Sequence, residues 1–135
     1  MTKDAAKFVD PMENGNERAR VMFWKGETAG DYLIGKVIRF SERMFDGQTT
    51  PTPIAHFEPG AVADGKKWTY VREAQVVLST ELRARINPTT DRTRIFAIRF
   101  DGLEAREGKN DARLYTVVEQ NAAKLGEILA VAEAQ

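Results

Sequence analysis

The stretch Asp31–Phe40, DYLIGKVIRF, constrains the chain more than any other. It is rich in β-branched and aromatic residues, which fit a pleated, half-buried surface. Gly35 interrupts it in the middle, and a glycine inside a strand marks a bulge or a sharp bend. Such a point lets a strand curl as the wall of a barrel must. A chain organised around this strand is expected to be mainly β and curved.

The remaining pattern supplies its partners. Ala19–Trp24 is a candidate strand or lead-in, and Lys25–Gly30 reads as a turn. Residues 41–53 read as a polar loop, followed by a short strand Ile54–Phe57 that Pro59-Gly60 closes. Asp64-Gly65 is a hairpin signal. Trp68–Leu78 reads as one long strand, with Trp68, Tyr70, Arg72, Ala74, Val76 and Leu78 on one face. The period then changes. Ser79–Ile86 reads as a short helix with Ser79 or Thr80 as its cap and Leu82 and Ile86 at i, i+4, and Asn87-Pro88 stops it. Thr93–Phe100 and Ala112–Glu119 are the last two strands, separated by a charged loop. From Asn121 the period is helical, with Ala122, Leu125, Ile128, Leu129 and Ala132 near one stripe.

A chain of 135 residues with 42% hydrophobic content can bury a core without disulfides or metal. One domain is expected: residues 1–18 as a flexible N-terminal arm, 19–120 as the barrel, and 121–135 as a C-terminal helix of the same domain. There is no cysteine, which excludes disulfides, thiol nucleophiles and thiolate zinc sites and fits a reducing compartment. No window approaches a membrane span, and the polar start Met1-Thr2-Lys3-Asp4 is unlike a signal peptide. No membrane partner and a cytoplasmic location are therefore expected. The balance of 20 basic and 20 acidic residues argues against a strongly basic duplex binder but leaves a local cationic track open.

The order bent strand, two strands, short helix, two strands is that of the OB-fold, a five-stranded Greek-key barrel that binds oligonucleotides and oligosaccharides. Gly30-Asp31-x-x-x-Gly35-Lys36-Val37 resembles the first strand of many OB-folds. The step Val77-Leu78-x-x-x-Leu82 into the helix and the strand Arg94–Phe100 before Asp101-Gly102 are similar too. Over roughly residues 28–119 the chain resembles the small phage-type single-stranded DNA-binding proteins with an OB-fold. The resemblance implies binding of single-stranded DNA without sequence preference, in replication or recombination, within the host cytoplasm if the chain is phage-encoded. Glycine-bent strands also occur in other small barrels, so a small closed or half-closed barrel is the broader expectation. The tip at Glu133 departs from the long acidic tail of many single-strand binders.

Single strands are held by a positive track for phosphates and by rings on which bases stack. The candidates are Lys36, Arg39, Arg43 and Phe45 on and after the bent strand; Lys66, Lys67, Trp68, Tyr70 and Arg72 opening the long strand; Arg99; and Arg113 and Tyr115 on the last strand. Trp68, Tyr70 and Arg72 alternate as a wet contact surface would, but rings with one polar end are also common at the rim of an ordinary core. Phe23, Trp24, Phe40, Phe96 and Phe100 read as core. The C-terminal stripe reads as packing on the barrel, with a homo-oligomer seam as its alternative.

His56, the only histidine, reads as structural. Serine-histidine-acid catalysis needs a geometry that spacing cannot supply, and no G-x-S-x-G, P-loop, EF-hand or HExxH pattern is present. No cofactor and no catalysis are expected. The competing reading is a β-rich protein–protein assembly module, such as a phage structural component.

Overall fold

The computed structural model describes residues 7–16, 21–108 and 110–134. Residues 1–6 and 17–18 of the expected arm lie outside these. Residues 7–16 form a short run of turns that leaves Phe8, Val9 and Met12 exposed. The elements that follow are β1 (Val21–Phe23), β2 (Tyr32–Arg43), β3 (Thr52–Ala63), β4 (Trp68–Val71), β5 (Glu73–Val77), α1 (Thr80–Arg83), β6 (Ile95–Glu104), β7 (Ala112–Gln120) and α2 (Ala122–Ala134). Ser79 caps α1 through its side-chain oxygen, as expected.

The molecule is mainly β, with strands in the order β1-β5-β3-β2-β6-β7 and β4 paired to β3. All neighbours are antiparallel except β1 and β5, which run parallel. The expected closed five-stranded barrel is not seen: among the described residues no ladder joins β7 to β5 or β1. The segment after β1 lies between those edges instead. Trp24 N–H donates to the Gln75 carbonyl at 2.9 Å, and the Tyr115 hydroxyl donates to the Lys25 carbonyl at 2.8 Å. Arg113 donates to the Gly26 carbonyl. Gly26 has φ +78°, and a Cβ there would overlap Phe100, so glycine is required on both counts.

Several strand boundaries differ from expectation: β2 runs past Phe40 to Arg43 and β3 begins at Thr52, both inside the expected polar loop, and β6 runs past Phe100 to Glu104. β3 does not stop at Pro59-Gly60 but runs on to Ala63. The ladder to β2 shifts register between Gly35 and Val37 and again between Val37 and Arg39, and proline is tolerated where a ladder is interrupted. Gly35 fits this crowded point because a Cβ would stand 2.8 Å from Phe57 Cβ and 3.0 Å from the Pro59 carbonyl. The expected strand Trp68–Leu78 is broken at Arg72 into β4 and β5. Val71 and Ala74, three apart, join the same core cluster, so the alternation breaks at Arg72 although β4 and β5 keep one register against β3, with Gly60↔Val71 and Phe57↔Ala74.

The sheet buries one apolar cluster on its inner face, including Leu33, Val37, Phe57, Val76, Leu78 and Phe96, with Leu82 and Ile86 from the α1 region closing it. A second cluster lies on the outer face. There Leu125 and Ala132 of α2 pack on Ile34 and Ala61, with Trp68, Tyr70, Ile95 and Ala97 alongside. The apolar stripe of α2 is thus used on its own sheet. No helix among the described residues is long and apolar enough to cross a membrane.

Candidate functional site

α2 covers only one end of the outer face. It seals the first half of β2, the second half of β3, and β4. At the other end the pairings Arg39↔His56, Ser41↔Ile54, Ile54↔Val77 and His56↔Gln75 align the outward residues of β2, β3 and β5. β1 widens this end through Val21↔Glu73 and Phe23↔Gln75.

A hydrogen-bonded chain crosses three strands here. Ser41 Oγ lies 2.6 Å from His56 Nε2, and His56 Nδ1 lies 3.0 Å from Glu73 Oε2. Gln75 donates to the same carboxylate oxygen at 2.7 Å, and the Arg39 guanidinium lies 3.3 Å from the other. His56 and Glu73 are buried, Ser41 is half-buried, and the Arg39 side chain is half exposed. Burial pushes the Glu73 carboxyl up, but the hydrogen bonds from His56 and Gln75, with the Arg39 charge, outweigh it and hold the group below its ordinary value. An ionised carboxylate only accepts, so His56 Nδ1 donates to it, which leaves Nε2 as the ring nitrogen facing the Ser41 hydroxyl.

The loop after β2 borders the same end. The Arg43 guanidinium stands 5.3 Å from the centroid of the Phe45 ring, a cation–π arrangement. Phe45 N–H and Thr52 Oγ1 both donate to Gln48 Oε1, at 3.2 and 2.9 Å, which ties the loop to the start of β3.

The structure therefore gathers Arg39, Arg43 and Phe45 at one place and disperses the other candidates. Lys36 is exposed on β2, opposite Ile95 of β6. Lys66 and Lys67 sit in the β3–β4 turn, where their N–H groups donate to Asp64 and hold its carboxyl below its ordinary value. Trp68 and Tyr70 are half-buried against the α2 cluster, with Trp68 6.2 Å from the Tyr32 ring, rather than forming an open wet surface. Arg72 is exposed at the break between β4 and β5. Arg99 is held by Asp101 at 2.5 Å and Thr116 at 3.1 Å. Arg113 and Tyr115 pin the segment after β1, with Tyr115 buried and Arg113 over the Phe100 ring at 4.5 Å.

Sequence reading missed Ser41, Glu73 and Phe23 as members of this face. Phe23, expected in the core, is 56% exposed because β1 turns it outward while Met22 and Trp24 go in. Two cavities border this face without reaching Ser41, His56 or Glu73. One of about 530 Å³ touches Met22, Phe23, Trp24, Val62, Lys67 and Val77, and one of about 400 Å³ touches Val77, Ser79, Arg106, Arg113 and Tyr115. Among the described residues no group of three or more acidic or histidine side chains could hold a metal ion. Comparison of the chain with family models, curated proteins and solved structures finds no match.

Proposed function

We propose that the chain is a single-stranded nucleic-acid binder, acting on single-stranded DNA without sequence preference, and that the strand lies across the end of the outer face not covered by α2. The observation that carries this reading is the convergence of Arg39, Arg43, Phe45 and Phe23 on that end. It combines cations for phosphates with rings on which bases stack. The strand order supports it. β5-β3-β2-β6-β7, with α1 between β5 and β6, follows the OB arrangement, in which the second and third strands and the loop after the first border the ligand. Here those parts are β3, β4–β5 and residues 44–51. Lys36, Lys66, Lys67 and Arg72 are further exposed cations for a longer strand.

The test is anisotropy of a labelled oligothymidine longer than one site of about 4–16 nucleotides, titrated at low and moderate salt. Binding is expected to be saturable and to weaken steeply with salt. Phe45→Ala is expected to lower affinity about tenfold, within the range of about 1–3 kcal/mol for one stacked base. No binding at low salt would overturn the reading. A defined oligomer without DNA affinity would then favour the assembly module.

A further inference from the structure

We infer that Ser41 is an activated nucleophile, and that the chain Ser41–His56–Glu73 makes it an acceptor of acyl groups from small activated carboxylic esters. The inference is independent of the nucleic-acid reading, because it rests on the connectivity of three side chains and not on the surface charge. A nucleophile within hydrogen-bond reach of a base, whose other nitrogen is oriented by a third group, is the general signature of covalent catalysis. The two links here are 2.6 and 3.0 Å. The orienting acid is buried, and Gln75 and Arg39 fix it in turn. Such support holds the imidazole in one tautomer, with Nε2 free to take a proton.

Access and charge fit the same reading. Ser41 is half-buried on a face that α2 leaves uncovered, so an ester carbonyl can approach it from solvent. Arg39 precedes it by two residues on β2 and keeps half of its side chain exposed, which places a positive charge on the face where an oxyanion would form. Neither cavity is lined by Ser41, His56 or Glu73, so no enclosed pocket grips a large acyl group at the serine, and the substrate class is small esters with good leaving groups.

In the acylation step Ser41 Oγ attacks the ester carbonyl and passes its proton to His56 Nε2. The carbon–oxygen bond to the leaving group breaks, and His56 returns the proton to the departing oxygen. The products are acyl-Ser41 and the free alcohol or phenol. Water attacks the acyl-serine in the second step, with its proton again taken by Nε2, which releases the carboxylic acid and restores the serine. Glu73 is a positioning residue throughout.

The experiment treats the full chain with p-nitrophenyl acetate in the absence of nucleic acid, follows nitrophenolate release, and maps the acetyl group by tandem mass spectrometry. Acetyl on Ser41 is expected. Ser41→Ala, at a half-buried position where the fold is preserved, abolishes that adduct. His56→Gln slows release by about 100-fold or more, the usual contribution of a general base. Glu73→Gln shifts the pH profile of release, which a merely structural role would not do. Acetyl found only on lysines or the N-terminus, or a release rate unchanged in Ser41→Ala, overturns the inference. Circular dichroism of each variant separates loss of reactivity from loss of fold.

Discussion

The outer face of the β2–β3 pair is two surfaces on one ladder. Toward Tyr32 and Ala63 it is apolar and closed by α2, with Ile34, Ala61, Leu125 and Ala132 in contact. Toward Arg43 and Thr52 it carries Arg39, Ser41 and His56, with Glu73 of β5 beside them, and α2 does not reach it. The strands are 12 residues long in each case, so length does not separate the ends. The register shifts do, since they re-aim the side chains between Gly35 and Arg39. On the reading proposed above the closed end serves stability and the other end serves contact, and substitutions at the two ends should differ accordingly.

The largest expected effect is at the closed end. Leu125→Ala removes a buried side chain from the α2 contact and should cost about 2–4 kcal/mol, in the range for core truncations. Urea unfolding measures it. A loss under about 1 kcal/mol would mean that α2 is not what seals the face.

The junction comes next. Gly35→Ala places a Cβ 2.8 Å from Phe57 Cβ and 3.0 Å from a backbone carbonyl, so the neighbours must move. A cost of about 1–3 kcal/mol is expected for such overpacking. A neutral result would show that the two halves adjust freely about this point.

The junction also separates what the sequence revealed from what it concealed. Strand identities were legible in hydrophobic alternation: β2, β6 and β7 stand close to where their β-branched residues place them. So was the stripe of α2. What alternation could not reveal was a bend without an insertion. The chain breaks at Arg72 while keeping its register against β3, so Trp68 and Tyr70 lie with the α2 cluster while Ala74, Val76 and Leu78 lie in the inner core. A perfect alternation put all five on one face. Pro59 read as a stop because proline ends ordinary ladders, whereas here it sits at an irregular stretch of the ladder inside a longer strand. The site was legible only in parts. Arg39, Arg43 and Phe45 stood out by charge and ring. Ser41, His56 and Glu73 come from three strands, and their meeting depends on long-range register that no local pattern carries.

At the polar end, Glu73→Gln is expected to cost about 1–2 kcal/mol at neutral pH, because Arg39 loses a charge partner and His56 a charged acceptor. The folded carboxyl titrates below its unfolded value. Its stabilisation is therefore fully present above the unfolded value and is lost as pH falls through the folded one. Unfolding curves of wild type and Glu73→Gln should differ at neutral pH and converge in acid. A gap that stays constant with pH would show that the carboxylate charge contributes nothing to the fold.

The smallest stability effect is expected where the functional effect is large. Arg43 is exposed at the end of β2, and its guanidinium stands over the Phe45 ring at 5.3 Å. Exposed substitutions of this kind change stability by about 0.5 kcal/mol or less. Arg43→Ala should therefore leave the urea midpoint almost unchanged while weakening oligothymidine binding and flattening its salt dependence, since one phosphate contact is removed. That separation sharpens the contrast between the ends. At the closed end a residue's role is measured by what the fold loses without it. At the polar end a cation that the fold does not need is held in place beside a ring, and its cost appears only when a ligand is added. If Arg43→Ala lowered stability as much as Leu125→Ala does, the polar end would be part of the core's support and not a surface kept for contact.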